Sequence, residues 1–243
     1  MLHDVSLDNV LFLDIETVPQ YPEYSQMPED LKKYWDKKAT QLVAGKEELS
    51  PEEIYTRAGI YAEFGKIICI GVGFLVSTGQ SSYSARLKMF AGDDEKTVLT
   101  EFSTLLKTKY FGTRDLAFCA HNGKEFDYPY IARRMIINGL PLPAKLDFAG
   151  KKPWEIKHLD TMELWKFGDY KNYVSLGLLA SVLGIPTPKD DIDGSMVGQV
   201  YWTEKNLKRI EDYCVKDVLT VMQVFMRYKG MPLLSDNDWT VSE

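Results

Sequence analysis

At 243 residues, with 45% hydrophobic and 26% charged content, the chain can bury a full core and reads most simply as one large domain, 1–243. It has no apolar run near the roughly 20 residues of a membrane helix and no basic-then-apolar opening, so a soluble, cytoplasmic protein is expected. The net charge of -6 argues against gripping duplex nucleic acid mainly by a basic surface, and Cys69, Cys119 and Cys214, in apolar stretches without CxxC spacing, argue against structural zinc.

The first predicted element is a buried strand over residues 10 to 16, an apolar run that ends in Asp14 and Glu16. Positions i and i+2 of a strand share a face, so the two carboxylates point the same way. Residues 20 to 60 are polar, with helix-compatible pieces at 28 to 38 and 51 to 57. That is long for a bare loop, and a helical insertion is expected. Residues 66 to 76 read as a β-branched core strand, and 82 to 90 as its hairpin partner through Gly79. Asp93 is the expected cap of a helix to about Lys107, with Val98, Leu99, Phe102, Leu105 and Leu106 inside.

A short strand is predicted at 116 to 119, followed by the loop 120 to 123 and a helix over 125 to 138 that Gly139 stops. Asp127 then falls in the first turn of a helix just beyond a strand end. A further strand is expected near 156 to 159, and Ser175 is the expected cap of a short helix ended by Gly184, Pro186 and Pro188. The last helix is predicted from about Thr203 to Tyr228, with Leu207, Ile210, Cys214, Val218, Val221 and Phe225 as its buried stripe and Gly230 as its stop. Tyr213 and Asp217, four apart, are neighbours on its surface. No internal repeat is present. The order of elements suggests an α/β fold, a five-stranded mixed sheet flanked by helices.

Carboxylates that converge repel one another and are costly to bury unpaired, so Asp14, Glu16, Asp127 and Asp217 suggest a divalent metal held by oxygen ligands. Bound cations would offset part of the acidic balance and attract phosphate. The basic groups Lys32, Lys33, Lys37 and Lys38, Arg133 and Arg134, and Lys145, Lys151 and Lys152 read best as solvated faces.

Three local motifs carry a resemblance: Asp14-Ile15-Glu16-Thr17, the run His121-Asn122-Gly123-Lys124-Glu125-Phe126-Asp127, and Tyr213-Cys214-Val215-Lys216-Asp217. Taken singly, each is a common surface pattern; their joint occurrence in order and in context is informative. The chain resembles the DEDD superfamily of 3′-to-5′ exonucleases, which share a ribonuclease H-like fold. Tyr213 stands four residues before Asp217, while Asp212 stands where the other branch carries histidine, so the resemblance is to the tyrosine branch. Within that branch the pattern is similar to the proofreading exonuclease domain of family B DNA polymerases and its stand-alone bacterial relatives.

The resemblance implies that Asp14 bridges two Mg²⁺ or Mn²⁺ ions, that Glu16 and Asp217 complete the first site, and that Asp127 supports the second. It implies that Tyr213 orients the attacking water. Thr17, Asn122, Phe126 and Asp160 are implied substrate or positioning contacts, with a capping role as the alternative for Asp160. The implied substrate is the 3′ end of a single-stranded nucleic acid, DNA favoured and RNA possible, cut to nucleoside 5′-monophosphates. His121 reads best as a satisfied loop histidine, and Lys189, Asp190, Asp191 and Asp193 as a surface turn. Lysines of the insertion and Tyr21, Tyr24, Tyr34 and Tyr55 are candidates for guiding a strand to the site, beside a plain packing role.

Two other classes fit parts of the pattern. A haloacid dehalogenase-type phosphatase would account for the strand ending in Asp14 and for the Lys189-Asp190-Asp191 cluster, but it wants a shorter acid at Glu16 and leaves Asp127 and Tyr213 unused. A non-catalytic nucleic-acid-binding module of the same fold is the other; all five key residues are present, so loss of activity would need a reason that the sequence does not show.

Overall fold

Strand β1, Val10–Pro19, alternates two sets of side chains, and the alternation decides what lies on each face of the sheet. In the computed structural model, which describes residues 4–43, 49–79, 82–112, 114–169, 173–186 and 192–242, Leu11, Leu13 and Ile15 enter one core cluster, while Val10 and Phe12 enter another. Asp14 and Glu16 continue the Val10 and Phe12 face. Helix α1, Glu29–Val43, and a 3-10 segment, Tyr55–Ile60, lie in the insertion that follows. Here Trp35 is fully buried against Tyr55 and Phe64 and donates to the Pro51 carbonyl at 2.8 Å, so the insertion has a small core of its own.

β2, Gly65–Gly79, and β3, Ser82–Ala91, form the expected hairpin. They are followed by α2, Glu95–Lys107, the short α3, Lys109–Gly112, and β4, Ala117–Ala120. Next come α4, Asp127–Ile137, β5, Leu159–Asp160, and α5, Thr161–Lys166. The chain continues with α6, Leu176–Val182, α7, Val197–Trp202, α8, Leu207–Tyr228, and β6, Trp239–Ser242. The sheet order is β5-β4-β1-β2-β3-β6. β1 runs antiparallel to β2 and parallel to β4, so the sheet is mixed. Helices α2 and α4 supply Val98, Leu99, Phe102, Ile131 and Met135 to one face. Helix α8 supplies Val218, Val221, Met222 and Phe225 to the other, the face of the acids.

The structure departs from the expectations in several places. The sheet has six strands where five were expected. The extra strand, β6, pairs parallel with β3 and is mostly exposed, and four residues without a buried face leave no periodicity to read. Asp94, not Asp93, caps α2, accepting from the Lys96 N–H, whereas Asp93 accepts from the Tyr201 hydroxyl at 2.7 Å. The strand expected at 156 to 159 shrinks to two residues because the Asp160 side chain already caps α5, and Ser175 caps α6 as expected. The long final helix starts at Leu207 under an Asn206 cap, and the residues before it include the unanticipated α7. Lys189, Asp190 and Asp191 lie outside the described residues. Among the described residues, no helix is long and apolar enough to cross a membrane.

Candidate active site

The site forms where β1 and α8 meet, and glycine makes the meeting close. In the register of β1 with β2, Asp14 pairs with Gly71, and Phe12 with Gly73. A Cβ on Gly71 would stand 2.7 Å from the Cys214 sulfur, and one on Gly73 would stand 2.9 Å from the Met222 sulfur. Bare backbone at both positions lets α8 lie against the sheet, which brings Tyr213 and Asp217 beside Asp14. Past Glu16 the ladder slips, Glu16 pairing with Cys69 and Thr17 with Ile67. Such a bulge re-aims the strand end where the carboxylates stand.

A cleft of about 760 Å³ opens here, with Asp14, Glu16, Thr17, Phe126, Tyr213 and Asp217 on its wall. Its remaining walls come from the 3-10 segment Tyr55–Ile60 and from Gln199 and Trp202 of α7. Asp127 sits deeper, 2% exposed, at the start of α4. Its carboxylate accepts from its own N–H and from the Ile15 N–H, which ties the second motif to the first. Its Oδ1 is buried without a hydrogen-bond partner.

Electrostatics bind these acids into one group. Burial, followed by the charges of Asp217 and Asp127, holds the Asp14 carboxyl well above its ordinary range. Burial and the charge of Asp14 do the same to Glu16. Burial, opposed by the two N–H donors, pushes Asp127 up to about 8. The Tyr213 phenol is driven far upward by burial and by the charges of Asp217, Glu16 and Asp14, and it hydrogen-bonds Asp217.

Side chains that prefer protons when packed together are a donor set short of positive charge. Asp14, Glu16 and Cys214 place potential ligand atoms within 4.8 Å of one another. The Cys214 thiol donates toward Asp14 Oδ2 at 3.7 Å, and a hydrogen bond with Cys69 together with burial keeps it protonated. A protonated thiol is a poor ligand, so the set that remains is all oxygen. With the orphaned Asp127 oxygen, it fits hard divalent cations.

Of the residues expected to contact substrate, Thr17 and Phe126 line the cleft; Asn122 and Asp160 do not. Asp160 is used up by backbone, since its carboxylate accepts from the N–H groups of Asn122, Lys124, Met162 and Glu163. It therefore caps α5 and fixes the loop that leads to Asp127. Asn122 holds that loop's left-handed turn at φ 61°. His121 is satisfied as expected, bonded to Thr161 and to the Val174 carbonyl. Tyr24 donates to Asp36 and Tyr55 to the Tyr21 carbonyl, inside the insertion core, and Lys32 pairs with Glu29. Arg57, Gln199 and Trp202 reach the cleft without having been singled out. No local pattern marks them, because they come from an irregular segment and from a helix one and a half turns long.

The sheet, its flanking helices and the acid cluster define a ribonuclease H-like α/β protein. A family model described as "Predicted 3'-5' exonuclease related to the exonuclease domain of PolB" matches residues 61–239, and the chain belongs to that family. The matched segment includes Asp127, Tyr213 and Asp217; Asp14 and Glu16 precede it. No curated protein matches the chain. Among solved structures it is similar in fold to the family B DNA polymerase from the hyperthermophilic archaeon Pyrobaculum calidifontis, with a TM-score of 0.53 at 15% identity. The likeness covers 90% of this chain and 24% of the polymerase, so this chain spans about a quarter of that protein's length. Nothing in these comparisons supports the phosphatase reading.

Proposed function

We propose that the protein is a metal-dependent 3′-5′ exonuclease that removes nucleoside 5′-monophosphates from the end of a single-stranded nucleic acid, DNA favoured over RNA. The observation that carries this reading is the convergence of Asp14, Glu16, Tyr213 and Asp217 on one cleft, with Asp127, from a third element, buried behind them and acting on Asp14 through its charge. Asp14, Glu16 and Asp217, with Asp127 behind them, would hold two Mg²⁺ or Mn²⁺ ions, which when bound acidify water and offset charge on the leaving oxygen.

The chain's own groups do the rest. The Tyr213 phenol keeps its proton across the neutral range, so it orients an attacking water by hydrogen bonding and does not act as the base. Glu16 is 6% exposed, so the cluster is recessed, and a chain end enters it more easily than an internal linkage. Phe126 and Ile60 offer apolar surface in the cleft for an unpaired terminal base. Asp160 acts at one remove, holding the loop before Asp127.

The test is a time course on 5′-labelled single-stranded DNA and RNA with Mg²⁺, Mn²⁺ or EDTA. A metal-dependent ladder shortening from the 3′ end is expected, slowed by a factor of about 10³ or more in Asp14→Ala and Asp217→Ala. Tyr213→Phe is expected to lose about 10² in kcat. Cleavage by Asp14→Ala at the wild-type rate, or release of inorganic phosphate in place of nucleotides, would sink the reading.

A further inference from the structure

We propose that the insertion between β1 and β2 carries a second phosphate subsite, centred on Arg57, that holds a phosphodiester of the bound strand next to the one being cut. The inference rests on the exonuclease reading above and adds a residue and a ligand group to it. Arg57 precedes the segment matched by the family model, which begins at residue 61.

The first observation is one of charge. Among the described residues that line the cleft, Arg57 is the sole lysine or arginine. It shares the lining of this cleft with Asp14, Glu16 and Asp217. Cations held by those acids would take up the charge of the scissile phosphate. The next phosphate along the strand would meet neutral groups, Thr17, Thr56, Ser195, Gln199 and Trp202, and one guanidinium. A guanidinium matches two phosphate oxygens with parallel N–H donors.

The second observation is that this side chain is uncommitted while comparable ones are not. Among the described residues, no acceptor engages the Arg57 guanidinium. Arg134 is bound into Glu95, Arg209 into Glu204, and Lys208 into Asp212.

The third observation is the mounting. Arg57 and Thr56 are exposed, whereas Ile54, Tyr55, Ala58 and Gly59 on either side are buried. Tyr130 donates to the Gly59 carbonyl at 2.7 Å, and Arg134 donates to the Ala62 carbonyl at 2.8 Å. Gly59 lies so close to β1 that a Cβ there would stand 3.0 Å from the Val18 carbonyl carbon. The backbone beside Arg57 is thus held between helix α4 and the strand that carries Asp14 and Glu16, and the exposed side chain is left to adapt. A rigid backbone with a free cationic tip lowers the ordering cost of holding a phosphate.

The experiment measures anisotropy of a 5′-fluorescein oligothymidylate bound in Ca²⁺ over a series of NaCl concentrations, for the wild type, Arg57→Ala and Arg57→Lys. Arg57→Ala is expected to weaken binding about 10-fold and to lower the slope of log K against log salt by about 0.7, the loss of one single-strand phosphate contact. Arg57→Lys should keep the slope. In parallel, the p-nitrophenyl ester of thymidine 5′-monophosphate, which has only the scissile phosphate, should be hydrolysed by Arg57→Ala with kcat/KM within about two-fold of the wild type.

Unchanged affinity and slope in Arg57→Ala would overturn the subsite. Equal losses on the ester and the oligonucleotide would overturn it too, by moving Arg57 to the scissile phosphate. Binding that depends on Arg57, in a wild-type protein that cuts neither substrate, would keep the subsite and remove the nuclease reading. A wild-type protein that does not bind the oligonucleotide removes both.

Discussion

His158 and Asp127 are both buried and titratable, and their partners give them opposite tasks. Every polar atom of the His158 ring is used: Nδ1 accepts from the Phe118 N–H at 3.1 Å and Nε2 donates to the Lys145 carbonyl at 2.7 Å. The ring is stacked on Phe118. That arrangement requires the neutral imidazole, and burial pushes its pKa from 6.5 to about 4. Between these values the unfolded chain binds more protons than the folded one, so this contribution to stability is complete above about pH 6.5 and is lost as pH falls toward 4. Over that window the wild type should lose on the order of 3 kcal/mol more than His158→Gln. Urea unfolding of both proteins at a series of pH values measures it; parallel curves would refute it. Asp127, by contrast, keeps one oxygen without a partner, which is why it is available to a cation and His158 is not.

At the scale of elements, the site depends on how closely α8 approaches β2. Gly71 is the position where that approach is tightest, with Cys214 and Val218 both inside 3.0 Å of a Cβ placed there. Gly71→Ala should therefore displace α8, cost about 1–3 kcal/mol in urea unfolding, and reduce kcat more than KM, because Tyr213 and Asp217 move away from Asp14. Cys214→Ala, added to it, should restore part of both losses. If Gly71→Ala retains wild-type kcat, close packing at this point is not what sets the site. The insertion works as a second mounted element. Its core around Trp35 takes up Tyr21, Tyr24 and Tyr55, whereas Tyr34 is exposed, and Arg57, on the short segment that touches β1, lines the cleft.

For the whole molecule, a group of acids that favours protons in the absence of cations couples metal binding to stability and to pH. A cation binding to the folded state alone at 100 times its Kd stabilises it by about 2.7 kcal/mol, a rise in Tm of roughly 5–10 °C for a chain of this size. The acids must lose protons to bind, so the rise produced by Mg²⁺ or Mn²⁺ should be larger at pH 8 than at pH 6, and absent in Asp217→Ala. Calorimetry with and without the ion checks it; an equal rise in the variant would show that the ion binds elsewhere. Much of this arrangement was legible beforehand. The strand face shared by Asp14 and Glu16, the Tyr213 and Asp217 pair and the stripe of α8 follow from periods of 2 and 3.6, which are local properties of the chain. The short β6, the helix α7 and the change of cap from Asp93 to Asp94 were not legible, because contacts with partners distant in sequence select among near-equal local options there. The amino-acid sequence by itself determined which face of each element bears Asp14, Glu16, Tyr213 and Asp217. Only the tertiary structure decided that Asp160 is consumed by backbone N–H groups, that Asp127 retains a bare oxygen, and that Arg57 lines the same cleft as the acids. Those outcomes depend on distances between elements far apart in the chain, which packing sets and local periodicity does not.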